Sequence, residues 1–365
     1  MPDIKQILPD NKLLTAFAES RIGGRKENQD AYGAAQCKRG YIITVCDGMG
    51  GGPGGKTASG IAVRTIIDTI QAADEKAPIA DVIVNAIKAA NKAIYDRGNE
   101  EPTLRGMGST ATVVVINEHS AFAAHVGDSR IYQLRGKRKV FRTFDHSMVF
   151  DLVKQNVITE EQARLSAESN IITRALGIRP TVEVDCTELS YEKGDRFVLC
   201  SDGIHGTMPE NELINMLSAN EKSLGNLVDK ICTDVDAQGH KDGGGHDNLT
   251  LAIFDTKATS KLRPNMSKKT KLIMTVLGIV CVLSLLANGF FLTRGNTAES
   301  EELTAKVALL NDSINKLDSI KKADINFRDD SINVLNERIR KGTIVVSEGR
   351  DQRLFDKFVK AISAE

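Results

Sequence analysis

The apolar run Tyr41-Ile42-Ile43-Thr44-Val45-Cys46 ends on one carboxylate, Asp47, and then breaks into Gly48-Met49-Gly50-Gly51. A strand built this way leaves a single charged group at the rim of a sheet, with backbone that a ligand can approach closely. The carboxylate and the neighbouring Gly48 carbonyl make an oxygen-only pair of ligands, which favours Mg²⁺ or Mn²⁺ over zinc. A plain turn uses the same Asp-Gly pair. Recurrence of the pattern decides between the two.

It recurs four times. Asp128 follows Ala123-Ala124-His125-Val126-Gly127, and Asp202 follows Phe197-Val198-Leu199-Cys200-Ser201. Asp247 precedes Asn248 and the run Leu249 to Phe254, and Asp30 stands before Ala31-Tyr32. Five aspartates at strand ends exceed what turns require. Brought together they repel one another unless cations intervene, which predicts at least two divalent ions. No His-x-x-x-His pair or cysteine cluster offers a competing zinc site.

The 365 residues exceed one typical domain. Lys plus Arg equals Asp plus Glu at 48 each, so no global basic footprint points to nucleic acid. The six cysteines form no Cys-x-x-Cys pair and read as buried free thiols of a reducing compartment. The polar opening Pro2-Asp3-Ile4-Lys5-Gln6 does not read as a signal peptide. Leu272 to Leu292 is 21 residues without a charge, long enough as a helix to cross about 30 Å of hydrocarbon. Lys257, Lys261, Arg263, Lys268, Lys269 and Lys271 precede it and only Arg294 closely follows. By the positive-inside rule the N-terminal part is then cytoplasmic and the C-terminal part extracytoplasmic.

The expected organisation is a folded domain over 1–256, a basic linker over 257–271 with weak affinity for anionic lipid, a single membrane helix over 272–292 and a tail over 293–365. Helical spacing predicts helices over Thr57 to Ala73, Ile79 to Tyr95, Met148 to Gln155, Glu160 to Ser166, Glu210 to Leu217 and Leu227 to Val235. Strands are expected over Ser109 to Ile116, Ala121 to Val126, Ile131 to Leu134, Arg196 to Leu199 and Leu249 to Phe254, with a hairpin at Asn117-Glu118-His119. Strands next to their sequence neighbours, with helices clustered before and after, predict an α+β fold of antiparallel sheets covered by helices.

Seven blocks now stand in order: Arg25-x-x-Asn28-Gln29-Asp30, Asp47-Gly48-Met49-Gly50-Gly51, Gly108-Ser109-Thr110-Ala111-Thr112, Val126-Gly127-Asp128-Ser129-Arg130, Thr173-Arg174-Ala175-Leu176-Gly177, Ser201-Asp202-Gly203 and Asp247-Asn248-Leu249-Thr250. Together they resemble the metal-dependent, type 2C serine/threonine protein phosphatases, in the bacterial branch, over roughly residues 12 to 256. The resemblance implies an α-β-β-α sandwich of two antiparallel sheets, and hydrolysis of phosphoserine or phosphothreonine by a water shared between two Mn²⁺ or Mg²⁺ ions. It places Asp47 between the metals with the Gly48 carbonyl, and Asp202 and Asp247 on one ion. It puts Asp30 on a metal through water, Asp128 with Asp202 at a third-metal site, and Arg25 on the substrate phosphate. Ser147 to Asn170 becomes the flap bordering substrate. Where many eukaryotic members have a histidine as general acid, this chain has Met49, which cannot donate that proton.

The remaining polar residues have blander readings. His146 organises the entry to the flap, and His125 is packed or hydrogen-bonded. Asp242-Gly243-Gly244-Gly245-His246 is a loop carrying Asp247 into place. No cysteine has an arginine six residues later, so a thiolate phosphatase is unsupported. In the tail, Leu303, Val307, Leu310, Ile314 and Leu317 step by four and three, and Ile325, Ile332, Leu335 and Ile339 resume after a phase slip. A coiled coil that forms a homodimer and a lone amphipathic helix both fit. The expected partners are cytoplasmic phosphoproteins, a membrane kinase and the lipid bilayer. A catalytically weak phosphoprotein-binding scaffold, or a transmembrane sensor with phosphatase output, are the alternatives.

Overall fold

Why the strands of this chain read as unbroken apolar runs becomes clear from what covers them. The computed structural model describes residues 5–50, 54–166 and 168–262, all within the unit Met1–Pro264. Its strands are β1 (Lys5–Gln6), β2 (Leu14–Arg21), β3 (Asp30–Cys37), β4 (Gly40–Met49), β5 (Gly108–Ser109), β6 (Ala111–Ile116), β7 (Ala121–Val126), β8 (Arg130–Arg135), β9 (Arg138–Arg142), β10 (Asp185–Leu189), β11 (Arg196–Cys200) and β12 (Leu249–Thr256). Its helices are α1 (Gly54–Ala72), α2 (Ile79–Glu100), α3 (Met148–Lys154), α4 (Glu160–Arg164), α5 (Asp202–His205), α6 (Glu210–Leu217) and α7 (Leu224–Lys241). One antiparallel sheet runs β1-β2-β12-β11-β8-β9. The other runs β10-β7-β6-β4-β3, with β5 beside β4.

Period-2 alternation sends neighbouring residues to opposite faces. On β6, Val113 and Val115 join a core with Ala62, Ile66, Ile83 and Ile87 of α1 and α2. Val114 and Ile116 join a second core between the sheets, with Ile43, Val45, Phe197, Leu199, Ala252 and Phe254. On β12, Leu251 and Ile253 instead face a third core with Leu213, Val228, Ile231 and Val235 of α6 and α7. Both faces of both sheets are therefore buried, giving the α-β-β-α order. At roughly 1.5–3 kcal/mol for each large apolar side chain removed from water, these cores carry the fold.

The expected hairpin is present as β6 paired with β7, residue Ile116 opposite Ala121. Strands β1, β2, β9 and β10 and the one-turn helix α5 are additions to the expected set. Of the expected free thiols, Cys46, Cys200 and Cys232 are buried, and Cys37 and Cys186 are half-buried. Burial pushes the Cys46 and Cys200 thiols up to about 12, so they pack as apolar groups. The expected membrane helix over 272–292 and the tail over 293–365 lie outside the described residues. Among the described residues no helix is long and apolar enough to cross a membrane.

The segment between β9 and β10 is tied to the body by charge. Arg130, at the start of β8, donates two hydrogen bonds to Asp145, both at 2.7 Å, with both side chains buried. Burial pushes the Asp145 carboxyl up, and the Arg130 guanidinium more than reverses this, holding it below the ordinary range. The same guanidinium lies 4.9 Å over the Phe150 ring of α3. A broken buried pair costs more than the pair is worth, because it strands a charge. Arg130→Met should therefore lower the unfolding free energy by about 3–5 kcal/mol, with most of the loss recovered in Arg130→Met/Asp145→Leu. Urea denaturation of the three proteins tests this, and equal losses in the single and double variants would contradict it.

Candidate active site

The two sheets end together at one rim of the sandwich, and all five candidate carboxylates are delivered there. Asp30 opens β3 and Asp47 nears the end of β4, and the register places them directly opposite one another. Like charges at opposed positions of an antiparallel pair destabilise it. Asp128 lies in the short link from β7 of one sheet to β8 of the other. Asp202 starts α5 just after β11, and Asp247 precedes β12. Arg25 and Asp128, Asp202 and Asp247 line one cleft of about 320 Å³.

Burial first, and mutual repulsion second, raise the proton affinity of this group. The Asp30 carboxyl is pushed up to about 7 by burial and by Asp202 and Asp247. Asp202 rises to about 6 through burial and Asp247, and it shares a hydrogen bond with Asp47. Asp47 and Asp128 are both raised well above the ordinary carboxylate range by burial, with Asp30 and Asp202 the next causes for Asp47 and Asp202 for Asp128.

A cation fits this arrangement on three counts. Asp30 Oδ1, Asp128 Oδ1 and Asp202 Oδ1 are buried with no hydrogen-bond partner among the described residues, and an unmatched buried carboxylate oxygen is costly. The donors are all oxygen, which suits Mg²⁺ or Mn²⁺. Gly48 also permits a close backbone approach: a Cβ there would fall 2.0 Å from the Gly55 carbonyl oxygen and 2.6 Å from that of Gln29.

Apart from His205, the supporting polar groups stand in the sequence as members of the motif blocks or, for His146, as the organiser of the flap entry, and their bonding partners were not legible there. Asn248 accepts from the Gln29 N–H at 2.8 Å and donates to the carbonyls of Ile22 and Glu27, which ties the Arg25 loop to β12. Ser201 Oγ donates to Asp30 Oδ2 at 2.8 Å, and Thr110 Oγ1 accepts from the Asp47 N–H at 2.9 Å. Asp128 is held through its backbone by two histidines. His205 Nε2 donates to the Asp128 carbonyl at 3.0 Å. His146 donates its own N–H to the Gly127 carbonyl at 2.9 Å, and its Nδ1 accepts the Gly127 N–H at 3.1 Å. With Nδ1 accepting, the neutral ring carries its proton on Nε2 and donates it to Asp185 at 3.2 Å. Burial and the stacked His125 ring, 4.4 Å away, hold His146 down to about 4, so it stays neutral. His146 thus braces the Asp128 turn as well as opening the flap segment, while His125 is packed against it and hydrogen-bonded to the Phe144 carbonyl.

Arg25, expected on a substrate phosphate, forks onto Asp247 at 3.1 and 2.7 Å. That ion pair raises its own pKa further. The guanidinium is about half exposed at the cleft, so an incoming dianion has to draw it away from the carboxylate. From the flap segment, Phe150, Glu160, Ala163, Arg164 and Asn170 border the same cleft, and Val149, Phe150 and Ala163 form a small core of their own.

Residues 19–243 match the family model described as Protein phosphatase 2C. The chain is 32% identical over 251 residues to the serine/threonine phosphatase stp of Listeria monocytogenes, covering 68% of this chain and 97% of the relative. It is 32% identical over 242 residues to protein phosphatase PhpP of Streptococcus pneumoniae, covering 64% and 93%. Among solved structures, serine/threonine phosphatase Stp1 of Staphylococcus aureus superposes with a TM-score of 0.60 at 28% identity, over 66% of this chain and 94% of that one. The catalytic domain of the phosphatase PstP in complex with two manganese ions gives 0.56 at 27% identity, over 67% and 98%.

The raised carboxyl groups make stability depend on pH in a set direction. Protons held up to about pH 7 by Asp30 and about 6 by Asp202 are released by the unfolded chain near 3.9. Without cations, the contribution of these two groups to stability is greatest below that value and falls as pH rises toward 7. Mn²⁺ takes the place of those protons, so its stabilising effect grows through the same window. Thermal unfolding should show a Mn²⁺-induced rise in Tm larger at about pH 7 than at about pH 4.5, by at least roughly 2–4 °C. Equal rises at both pH values would contradict the assignment.

Proposed function

The chain belongs to the protein phosphatase 2C family and is a protein serine/threonine phosphatase of bacterial type, and from that premise we propose how its own residues carry the reaction. The family uses Mn²⁺ or Mg²⁺. The observation that carries the residue assignment is the set of three buried carboxylate oxygens of Asp30, Asp128 and Asp202, without partners among the described residues, around the Asp47 end of β4. Asp47 and the Gly48 carbonyl would hold two ions, with Asp202 and Asp247 completing one of them, Asp30 acting through water, and Asp128 with Asp202 offering a third position. When bound, such ions lower the pKa of water and absorb charge on phosphoryl oxygens.

The protein does the rest by placement. Arg25 presents a planar fork to the phosphoryl oxygens after leaving Asp247. Asp47 and Asp202 give up their protons to become ligands, and the repulsion that adds to burial in raising their pKa values favours cation entry. Ser201, Asn248 and the His146–Gly127 brace keep the carboxylates aimed before substrate arrives, which removes ordering cost from the reaction itself. Phe150 and Ala163 border the cleft on the flap side and limit water there. Met49 carries no transferable proton, so water or another group protonates the leaving serine or threonine oxygen. Buried thiols such as Cys46 take no part.

The substrate class is phosphoserine and phosphothreonine in cytoplasmic phosphoproteins, with a membrane kinase as the opposing activity. The uncharged stretch 272–292 and the lysines before it support a single-pass anchor in the cell membrane, with the phosphatase domain cytoplasmic. The heptad-like spacing beyond 303 supports a homodimer through an extracytoplasmic tail. Carbonate-washed membranes should retain the full-length chain and release a variant lacking 272–292. Release of both would remove the anchor.

Hydrolysis of a phosphothreonine peptide by the full-length protein should require Mn²⁺ or Mg²⁺, stop with EDTA, and fall at least about 100-fold in Asp47→Asn. Arg25→Ala should lower kcat/KM about 10–150-fold, the equivalent of the 1.5–3 kcal/mol typical of a hydrogen bond to a charged group. A folded, metal-loaded protein that binds phosphopeptide without turning it over would favour the scaffold reading instead.

A further inference from the structure

A second constellation of metal-binding side chains stands next to the Asp247 loop, and the phosphatase chemistry does not use it. Asp236 and His240 lie four residues apart on α7, so both project from one face of the helix. His246 comes from the loop that follows the helix. His246 Nε2 donates to Asp236 Oδ1 at 2.7 Å, and His240 Nε2 lies 3.8 Å from the same oxygen. One donor atom from each of the three lies within 4.8 Å of the other two. The two imidazoles meet edge to face with centroids 4.9 Å apart.

The helix is shaped to receive His246. A Cβ on Gly239 would fall 2.3 Å from the His246 Cγ. A glycine at that interior helical position costs about 1 kcal/mol relative to alanine, and here the missing side chain is what seats the ring. The His246 side chain is only 8% exposed. Its Nε2 proton is committed to Asp236, which leaves Nδ1 as a buried acceptor with no partner among the described residues.

Another cluster, His125, His146 and Asp185, has the same composition. It does not suit a cation, because His146 Nδ1 is taken by the Gly127 N–H and the Arg174 guanidinium lies 3.1 Å from Nε2. At Asp236 the opposite holds: two imidazoles converge on one carboxylate oxygen.

We propose that Asp236, His240 and His246 form a site for a borderline divalent cation of the Zn²⁺ class, separate from the all-oxygen centre. Imidazole and carboxylate together select Zn²⁺, Co²⁺, Ni²⁺ or Cu²⁺ over Mg²⁺. Tetrahedral bonds of roughly 2.0–2.2 Å set donor atoms about 3.3–3.6 Å apart, so the Asp236 and His246 donors part from 2.7 Å to admit the ion while His240 draws in from 3.8 Å. His240, 64% exposed in the last turn of α7, is free to make that movement. The cation takes the place of the proton between Asp236 and His246, that proton shifts to His246 Nδ1, and water completes the shell. Because His246 immediately precedes Asp247, occupancy fastens to α7 the loop that carries an active-site carboxylate. The pattern Asp-x-x-x-His followed by a histidine six residues later escapes a search for His-x-x-x-His.

The test titrates the chelator-stripped full-length protein, held in saturating Mg²⁺, with Co²⁺ and records its visible spectrum. One Co²⁺ per chain should give a visible band that Zn²⁺ abolishes, and the band should persist in Asp47→Asn. His240→Ala, at an exposed position, should weaken Co²⁺ binding by at least about 100-fold, since loss of a ligand exceeds the ~10–100-fold cost of changing an outer-shell partner. Unchanged binding in His240→Ala, or loss of the band in Asp47→Asn, would place the cobalt in the carboxylate centre and overturn the proposal.

Discussion

Five carboxylates forced into one rim of a β-sandwich repel one another, and the structure is arranged around that repulsion. The opposed pair Asp30 and Asp47 brings it about by strand register alone, with Asp128 at the crossing between sheets and Asp202 and Asp247 from the facing sheet. Protonation relieves it in one way, and repulsion adds to burial in raising Asp30 and Asp202 to about 7 and 6. Divalent cations relieve it in another and turn a liability into a reactive centre. The three apolar cores bear the cost, since both faces of both sheets are buried.

Aim matters as much as charge. Three of the carboxylates are fixed by neighbours that touch the backbone or the spare oxygen: Ser201 on Asp30, Thr110 on the Asp47 N–H, and His205 on the Asp128 carbonyl with His146 on the adjoining Gly127. Asn248 links the Arg25 loop, the start of β3 and β12 at one point. These contacts leave buried oxygens of Asp30, Asp128 and Asp202 without hydrogen-bond partners among the described residues. Preorganisation of that kind is what lets a site act without rearranging in each turnover.

Much of this was legible in the sequence, for reasons that also explain what was not. The helices α1 and α2 and the strands β6, β7, β11 and β12 carry strong apolar periodicity, so their existence and type follow from pattern. Strands β9 and β10 are short and largely exposed, and β2 alternates apolar residues with alanine and polar groups, so pattern alone gives little. The carboxylates were legible because each interrupts an apolar run at its end. The braces were not: His146 and Gly127 are 19 residues apart and Asn248 and Gln29 are 219 apart, and no local signal marks such pairs. Likewise Asp236, His240 and His246 become a group only once the ring of His246 is seated on Gly239.

The central claim is that the carboxylate rim exists to hold cations. Anomalous diffraction from crystals of the Mn²⁺-loaded protein addresses it most directly. The account predicts at least two manganese peaks within coordination distance of the Asp47 carboxylate, with Asp202 and Asp247 on one of them and Arg25 drawn off Asp247 when a phosphate analogue is bound. Manganese located elsewhere, with Asp47 and Asp30 left facing each other unligated, would contradict it.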